Sequence, residues 1–194
     1  PSAVATPVDP LAFQKFSYGL FVLTASLDGK DNGCIINTAG QVTAVPNRIS
    51  IAVNKSNFTH DMILASGKFN VSILSEEADF SIFKRFGFQS GRDVNKFDGY
   101  EHAVRGENGI YYVTEGTNGF ISAQVKTTLD LGTHTLFIAG VTDMDVLSDI
   151  PSTTYTYYQN HIKPKPLPKT ESEKGVTIWR CRICGYEYKG DVLP

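Results

Sequence analysis

The sequence predicts a mainly β protein: a barrel of short strands with a few helices. Three observations carry this expectation. Short runs of β-branched and aromatic residues recur over positions 18–74, each bounded by Gly, Asn, Asp or Pro. Two longer alternating runs meet at a glycine, as the arms of a hairpin would. Helical stretches are few and brief, and a sheet of many strands loses its exposed edges by closing on itself.

In chain order, "DPLAFQKF" offers Asp9 as an N-cap and Pro10 at the first helical position, which predicts a short helix. "YGLFVLTAS", "GCIINT", "RISIAVN" and "KFNVSIL" read as strands. Between the last two, "NFTHDMILASG" predicts a helix with Thr59 able to cap, Asp61 in the first turn and Gly67 ending it in a left-handed conformation. "ADFSIFKRFG" is a second helix, also closed by glycine. "GFISAQVKTTLDLG" and "THTLFIAGVTDMDVL" alternate as two long strands that turn near Gly132. "TYTYYQN" is expected to be the last element packed on the barrel or on a partner subunit.

Composition then changes. "NHIKPKPLPKTESEKG" carries prolines at 164, 166 and 168 with almost nothing apolar, which predicts an extended tether of about 3.1 Å per residue. The expected organisation is a barrel domain over 1–160, a Pro/Lys-rich linker over 161–175 and a small domain from 176 to 194. A hydrophobic fraction of 41% with 20% charged residues is ordinary globular composition. A net charge of −2, without a Lys/Arg stripe, gives no footprint for nucleic acid. No apolar run is long enough to span a bilayer, and the first ten residues lack the basic n-region of a signal peptide. Three cysteines, two in one hook, argue for a reducing compartment, and the expected location is cytoplasmic.

The hook is Cys181 and Cys184 in "WRCRICGYEYKGDVLP". Two thiolates at this spacing can reach one metal, iron or zinc, and a tetrahedral thiolate site takes four ligands. A thioredoxin-type redox pair is disfavoured because no βαβ pattern surrounds it. Trp179 two residues before the first cysteine, then C-G-Y-x-Y and Gly190, resembles the N-terminal half of rubredoxin. That resemblance implies iron, and it implies a second C-x-x-C about a dozen residues after Cys184, beyond Pro194.

The rest of the chain carries a second resemblance. "SYGLFVLTAS", "NGCIINTAGQVTAVPNRISIAVNKSNFTHDMILASGKFNVSIL", "FGFQSGRDVNKFDG" and "LGTHTLFIAGVTD" together resemble the flavin reductase-like family over most of residues 10–150. The resemblance implies an FMN-binding split β-barrel that forms a homodimer. It implies that Asn37, Thr38, Ala39, Gly40, Gln41, Val42 and Thr43 line the isoalloxazine and ribityl chain. It assigns Asn54, Lys55, Asn57, Thr59 and His60 to the phosphate end, and Ser90, Gly91, Arg92 and Lys96 to closing the site. His134 would sit where the nicotinamide stacks. Cys34 and Ile36 depart from the family, whose members often carry a polar and a small residue there.

On the residues alone, Asn37–Gly40 is an ordinary polar turn, and a capped helix start at "NFTH" is one of many that bind nothing. His134 would be a hydrogen-bonded strand histidine, His102 and His161 solvated, and Cys34 a small buried hydrophobe. No G-x-G-x-x-G occurs, so NAD(P)H would come and go over the flavin rather than occupy a dinucleotide fold. The resemblances together imply an NAD(P)H-dependent FMN oxidoreductase. Its electrons would pass through a rubredoxin-type iron centre to a redox partner such as a flavodiiron oxygen or nitric oxide reductase. Two other readings compete. One is a reductase that releases reduced flavin, which needs no tethered thiolates. The other is a flavin-free binding module with a zinc-ribbon tail, which would be colourless.

Overall fold

The computed structural model describes residues 9–165, together with the strand residues 178–180 and 187–189. The chain divides into two compact units, Pro1–Lys163 and Pro164–Pro194.

The first unit is built on one antiparallel sheet. Its strands are β1 (Phe21–Leu27), β2 (Lys30–Ile36), β3 (Gly40–Ala44), β4 (Asn47–Asn54), β5 (Lys68–Leu74), β8 (Thr117–Asp130) and β9 (His134–Val146), with the short pair β6 (Ala103–Arg105) and β7 (Tyr111–Val113) apart from it. The spatial order is β2-β1-β5-β8-β9-β4-β3. Strands β4 and β9 run in register from Arg48↔Gly140 to Asn54↔His134. The β8–β9 hairpin turns through Gly132, whose φ of 82° suits a residue without a Cβ.

The two outermost strands, β2 and β3, are consecutive in sequence and joined by three residues, 37–39. So short a link forces the sheet to curl until its two rims meet. Cys34 and Ile36 of β2 accordingly share one core with Ile49, Ile51 and Val53 of β4, near the opposite rim. Hydrogen-bonded closure, however, is not reached: no ladder joins β2 to β3 among the described residues. The barrel is split at this seam, as the family resemblance implies, rather than fully closed as the strand pattern alone suggests.

Helix α1 (Phe58–Ser66) plugs the barrel with Met62 and Ile63, both fully buried beside Phe69 and Phe137. Burial of each such side chain is worth about 1.5–3 kcal/mol. Its N-cap position is taken by Asn57 rather than Thr59, and it ends at Gly67 in the left-handed region (φ 69°). Helix α2 (Phe80–Gly87), capped by the Asp79 carboxylate accepting from Ser81 N–H, buries Ile82, Phe83 and Phe86 in a second cluster. That cluster includes Tyr158 from a short helical segment over 155–162, with its ring 4.3 Å from Phe83, so the last aromatic run packs on the same unit. The first helix is a 3-10 turn, Pro10–Lys15, capped by Asp9.

In the second unit, β10 (Ile178–Arg180) and β11 (Glu187–Lys189) pair antiparallel with Arg180 opposite Glu187. Cys181, Cys184 and the prolines at 166 and 168 lie outside the described residues.

Candidate functional site

The seam is where most of the candidate residues gather. Burial on β4 alternates, so Ile49, Ile51 and Val53 face the core while Ser50, Ala52 and Asn54 face outward. Strand β3 covers β4 only as far as Gly40↔Ser50. Beyond that point the Thr38 hydroxyl takes over, donating to the Ala52 carbonyl at 2.6 Å. This bond pins the crossing 37–39 to β4 and leaves Thr38 about two residues, or roughly 7 Å, from Asn54 on one outward face. Strand β3 is an edge: all five residues are exposed, and among the described residues it pairs with β4 alone. A bulge at Val42 breaks its register, and the Thr43 hydroxyl donates to the Pro46 carbonyl at 2.6 Å. Its outer edge therefore offers unpaired backbone donors and acceptors. Nothing lies within 4 Å of a Cβ built on Gly40. A cleft of about 370 Å³ opens beside it, walled by Phe21, Val71, Ile121 and Met144, with Gln41 and Arg48 among its polar groups.

At the far end of β4 the chain turns tightly into α1. Asn54 Oδ1 accepts from the backbone N–H and the hydroxyl of Ser56, both at 2.9 Å. Asn57 makes no side-chain cap, so the first N–H groups of α1 point out of the helix end without one. The Lys55 ammonium reaches both carboxylate oxygens of Asp130, at 2.7 and 2.8 Å, while its backbone N–H donates to Thr133 O at 3.0 Å. The Asp130 carboxyl is held below its usual range by the Lys55 hydrogen bond and then by the Gly132 N–H. His134 lies across the ladder from Asn54, with Nδ1 2.9 Å from the Thr133 hydroxyl. Thr38, Asn54, Lys55 and His134 thus share one outward corner, with the start of α1 beside them.

Three other candidates face inward. The buried residues of α1 are Thr59, His60, Met62 and Ile63, a helical spacing that turns the first two toward the barrel. Thr59 accepts from Asn32 Nδ2 at 3.0 Å. His60 is 4% exposed, with Nε2 2.9 Å from the Thr135 hydroxyl and Nδ1 3.0 Å from Asp61. Lys96 is 3% exposed and donates to the carbonyls of Gly33 (2.7 Å) and Phe86 (3.1 Å). Burial pushes its pKa down, and the same burial pushes the nearby Cys34 thiol up, against weaker pulls from Thr59 and Lys96. The segment 90–96 is a bracket behind α1. Ser90 Oγ accepts from Arg92 N–H at 3.2 Å, and Gly91 abuts Asn32. Arg92 pairs with Asp61 at 2.5 Å while its guanidinium lies 5.0 Å over the Phe58 ring. The half-exposed Arg92 side chain stays at the surface, beside the first turn of α1.

Asp130 and Asn32 are residues that sequence reasoning missed. Asp61 was legible as a first-turn acid, but its pairing with a residue 31 positions away was not. Among the described residues no cluster of three or more His, Cys, Asp or Glu is placed to hold a metal, and no helix is long and apolar enough to cross a membrane.

The chain belongs to the flavin reductase-like family: residues 13–165 match the Flavin reductase like domain. It is 36% identical over 192 residues to the high molecular weight rubredoxin of Moorella thermoacetica, an alignment that takes in 93% of this chain and 83% of that one. It is 39% identical over 163 residues to the ferric-chelate reductase (NAD(P)H) of Archaeoglobus fulgidus, covering 84% and 95% of the two chains. Among solved structures, the FMN-binding protein of Thermus thermophilus shares the fold at 20% identity, with a TM-score of 0.65 over 76% of this chain and 80% of that one.

Proposed function

We propose that the chain is an NAD(P)H-dependent oxidoreductase that holds FMN at the seam and sends its electrons onward through a rubredoxin-type iron centre on the tail. The observation that carries this is the pairing, in one molecule, of the bare β3 edge and the Lys55–α1 corner with a rubredoxin-like cysteine hook. The residues present fit the cofactor. The β3 edge from Gly40 to Thr43 offers backbone groups to the rim of a flat ring. Lys55, Asn54 and the N–H groups opening α1 suit a single terminal phosphate. Thr38 anchors the crossing against which the ring would rest, and Arg92 adds a cation beside the helix start. His134 stands at the same corner, oriented by Thr133, to position an incoming nicotinamide.

Bound FMN supplies a centre that takes up two electrons as hydride and gives them up singly. The inward residues do the supporting work: Thr59, His60 and Lys96 fix α1 and the loop 90–96 so that the outward groups keep their places. Cys181 and Cys184 would give two of the four thiolates of the iron site. The onward acceptor is a redox protein, of which a flavodiiron oxygen or nitric oxide reductase is the type we propose. We place the protein in the cytoplasm as a homodimer, for which light scattering at low micromolar concentration would give twice the monomer mass.

Extraction of the purified full-length protein should yield FMN and a red thiolate–iron colour. Lys55→Ala should weaken FMN binding about tenfold, as loss of a charge-assisted hydrogen bond does. Recovery of FAD alone, or of a colourless protein, would overturn the proposal.

A further inference from the structure

Lys55 is not an idle cation. Its ammonium is met in bidentate fashion by Asp130, from the β8–β9 turn 75 residues away. That carboxylate is itself fastened, since its Oδ1 accepts from Gly132 N–H at 2.7 Å. The backbone of Lys55 is tied to the same turn through Thr133. A carboxylate is thus built onto the corner where a phosphate is expected, and it cancels the lysine charge there. Yet the pair is loose by nature: the Lys55 side chain is 37% exposed and that of Asp130 is 71% exposed.

We infer that Asp130 is a built-in competitor of the cofactor phosphate for Lys55, so that FMN loads by exchanging one anion for another on the same ammonium. This rests on the phosphate site proposed above. An exposed carboxylate can yield because its bond to lysine is worth little in water, whereas a phosphate adds the N–H groups of α1 to the same lysine. The competitor sets how firmly flavin is kept. It also keeps the empty corner neutral, which discourages adventitious anions.

The test is FMN titration of the flavin-free protein in four forms: wild type, Lys55→Ala, Asp130→Asn and the double variant. Asparagine retains an oxygen for Gly132 N–H, so the turn is preserved, and unfolding midpoints verify it. Asp130→Asn should tighten FMN binding by about threefold to fivefold, the upper part of what freeing a lysine from an exposed ion pair is worth. In the Lys55→Ala background the same change should have less than about a twofold effect, because the exchange has no lysine to act on. Riboflavin, which has the ring without the phosphate, should bind all four forms alike. If Lys55→Ala weakens FMN but Asp130→Asn does not tighten it, the exchange is wrong and the phosphate site stands. Equal tightening in both backgrounds would mean simple repulsion and would also overturn the exchange. If Lys55→Ala leaves FMN affinity unchanged, the phosphate site and the exchange fall together.

Discussion

Gly91 lies so close to Asn32 that a Cβ added to it would stand 2.1 Å from the Asn32 amide oxygen. Asn32 is 2% exposed, and its amide nitrogen donates to the Thr59 hydroxyl. The loop 90–96 therefore rests directly on the residue that steadies the first turn of α1. Gly91→Ala should cost about 1–3 kcal/mol, as overpacking does in a filled interior. Urea unfolding reads the loss. The cost should shrink in an Asn32→Ala background, where the clash has no target; an equal cost in both backgrounds would refute the contact.

Lys96 should be a structural lysine. Lys96→Met leaves the Gly33 and Phe86 carbonyls without their donor, at about 1–3 kcal/mol. Its pKa is lowered by burial. Between that lowered value and the ordinary lysine value of about 10.4, the unfolded chain binds a proton that the folded chain does not, so stability rises with pH in this window. Unfolding free energies measured up to about pH 10 should show the rise in the wild type and its absence in Lys96→Met.

Asp61 should show a dependence of the same sign at the acid end of the scale. Its carboxyl is held below the usual range by the hydrogen bond from His60 and then by Arg92. Such a group contributes stability above its unfolded value of about 3.9 and loses the contribution as pH falls through the folded value. The gap in melting temperature between wild type and Asp61→Asn should be flat from about pH 8 to pH 5 and should close below about pH 4. The side chain is 47% exposed, so the gap should amount to no more than about 1 kcal/mol.

Flavin reduction and electron export should separate at the tail. In the full-length protein, Cys181→Ser with Cys184→Ser should leave NAD(P)H-dependent bleaching of the flavin nearly unchanged and abolish most reduction of the acceptor protein. Stopped-flow measurement of both steps on one preparation decides it. An acceptor reduced at the wild-type rate would make the hook structural.

The elements that the sequence announced are those that set apolar side chains into the core. β4 alternates Ile49, Ile51 and Val53 into the core, β1 and β5 bury the unbroken runs 22–25 and 69–72, and the β8–β9 hairpin pivots on Gly132. Strand β3 was unreadable for the converse reason. All five of its residues are exposed, so no alternation marks it, and pairing with β4 across a two-residue turn creates it. The site divided along the same line. Asn54 and His134 meet across the β4–β9 ladder with Lys55 next to them, whereas Thr59 and His60 turn inward because their spacing from Ile63 belongs to the buried stripe of α1. Lys55's partner was invisible because 75 residues separate the pair, and only the ladder register brings them together.

The crossing from Ile36 to Gly40 also fixes the girth of the barrel. Where neighbouring strands are zipped together, circumference follows from register; here it follows from a measured length of chain. At about 3.6 Å per residue the gap between the rims cannot exceed roughly 14 Å, however the rims flex. The crossing works as a belt with one notch. One residue added among positions 37–39 would let it out and widen the seam without removing a single group that lines it.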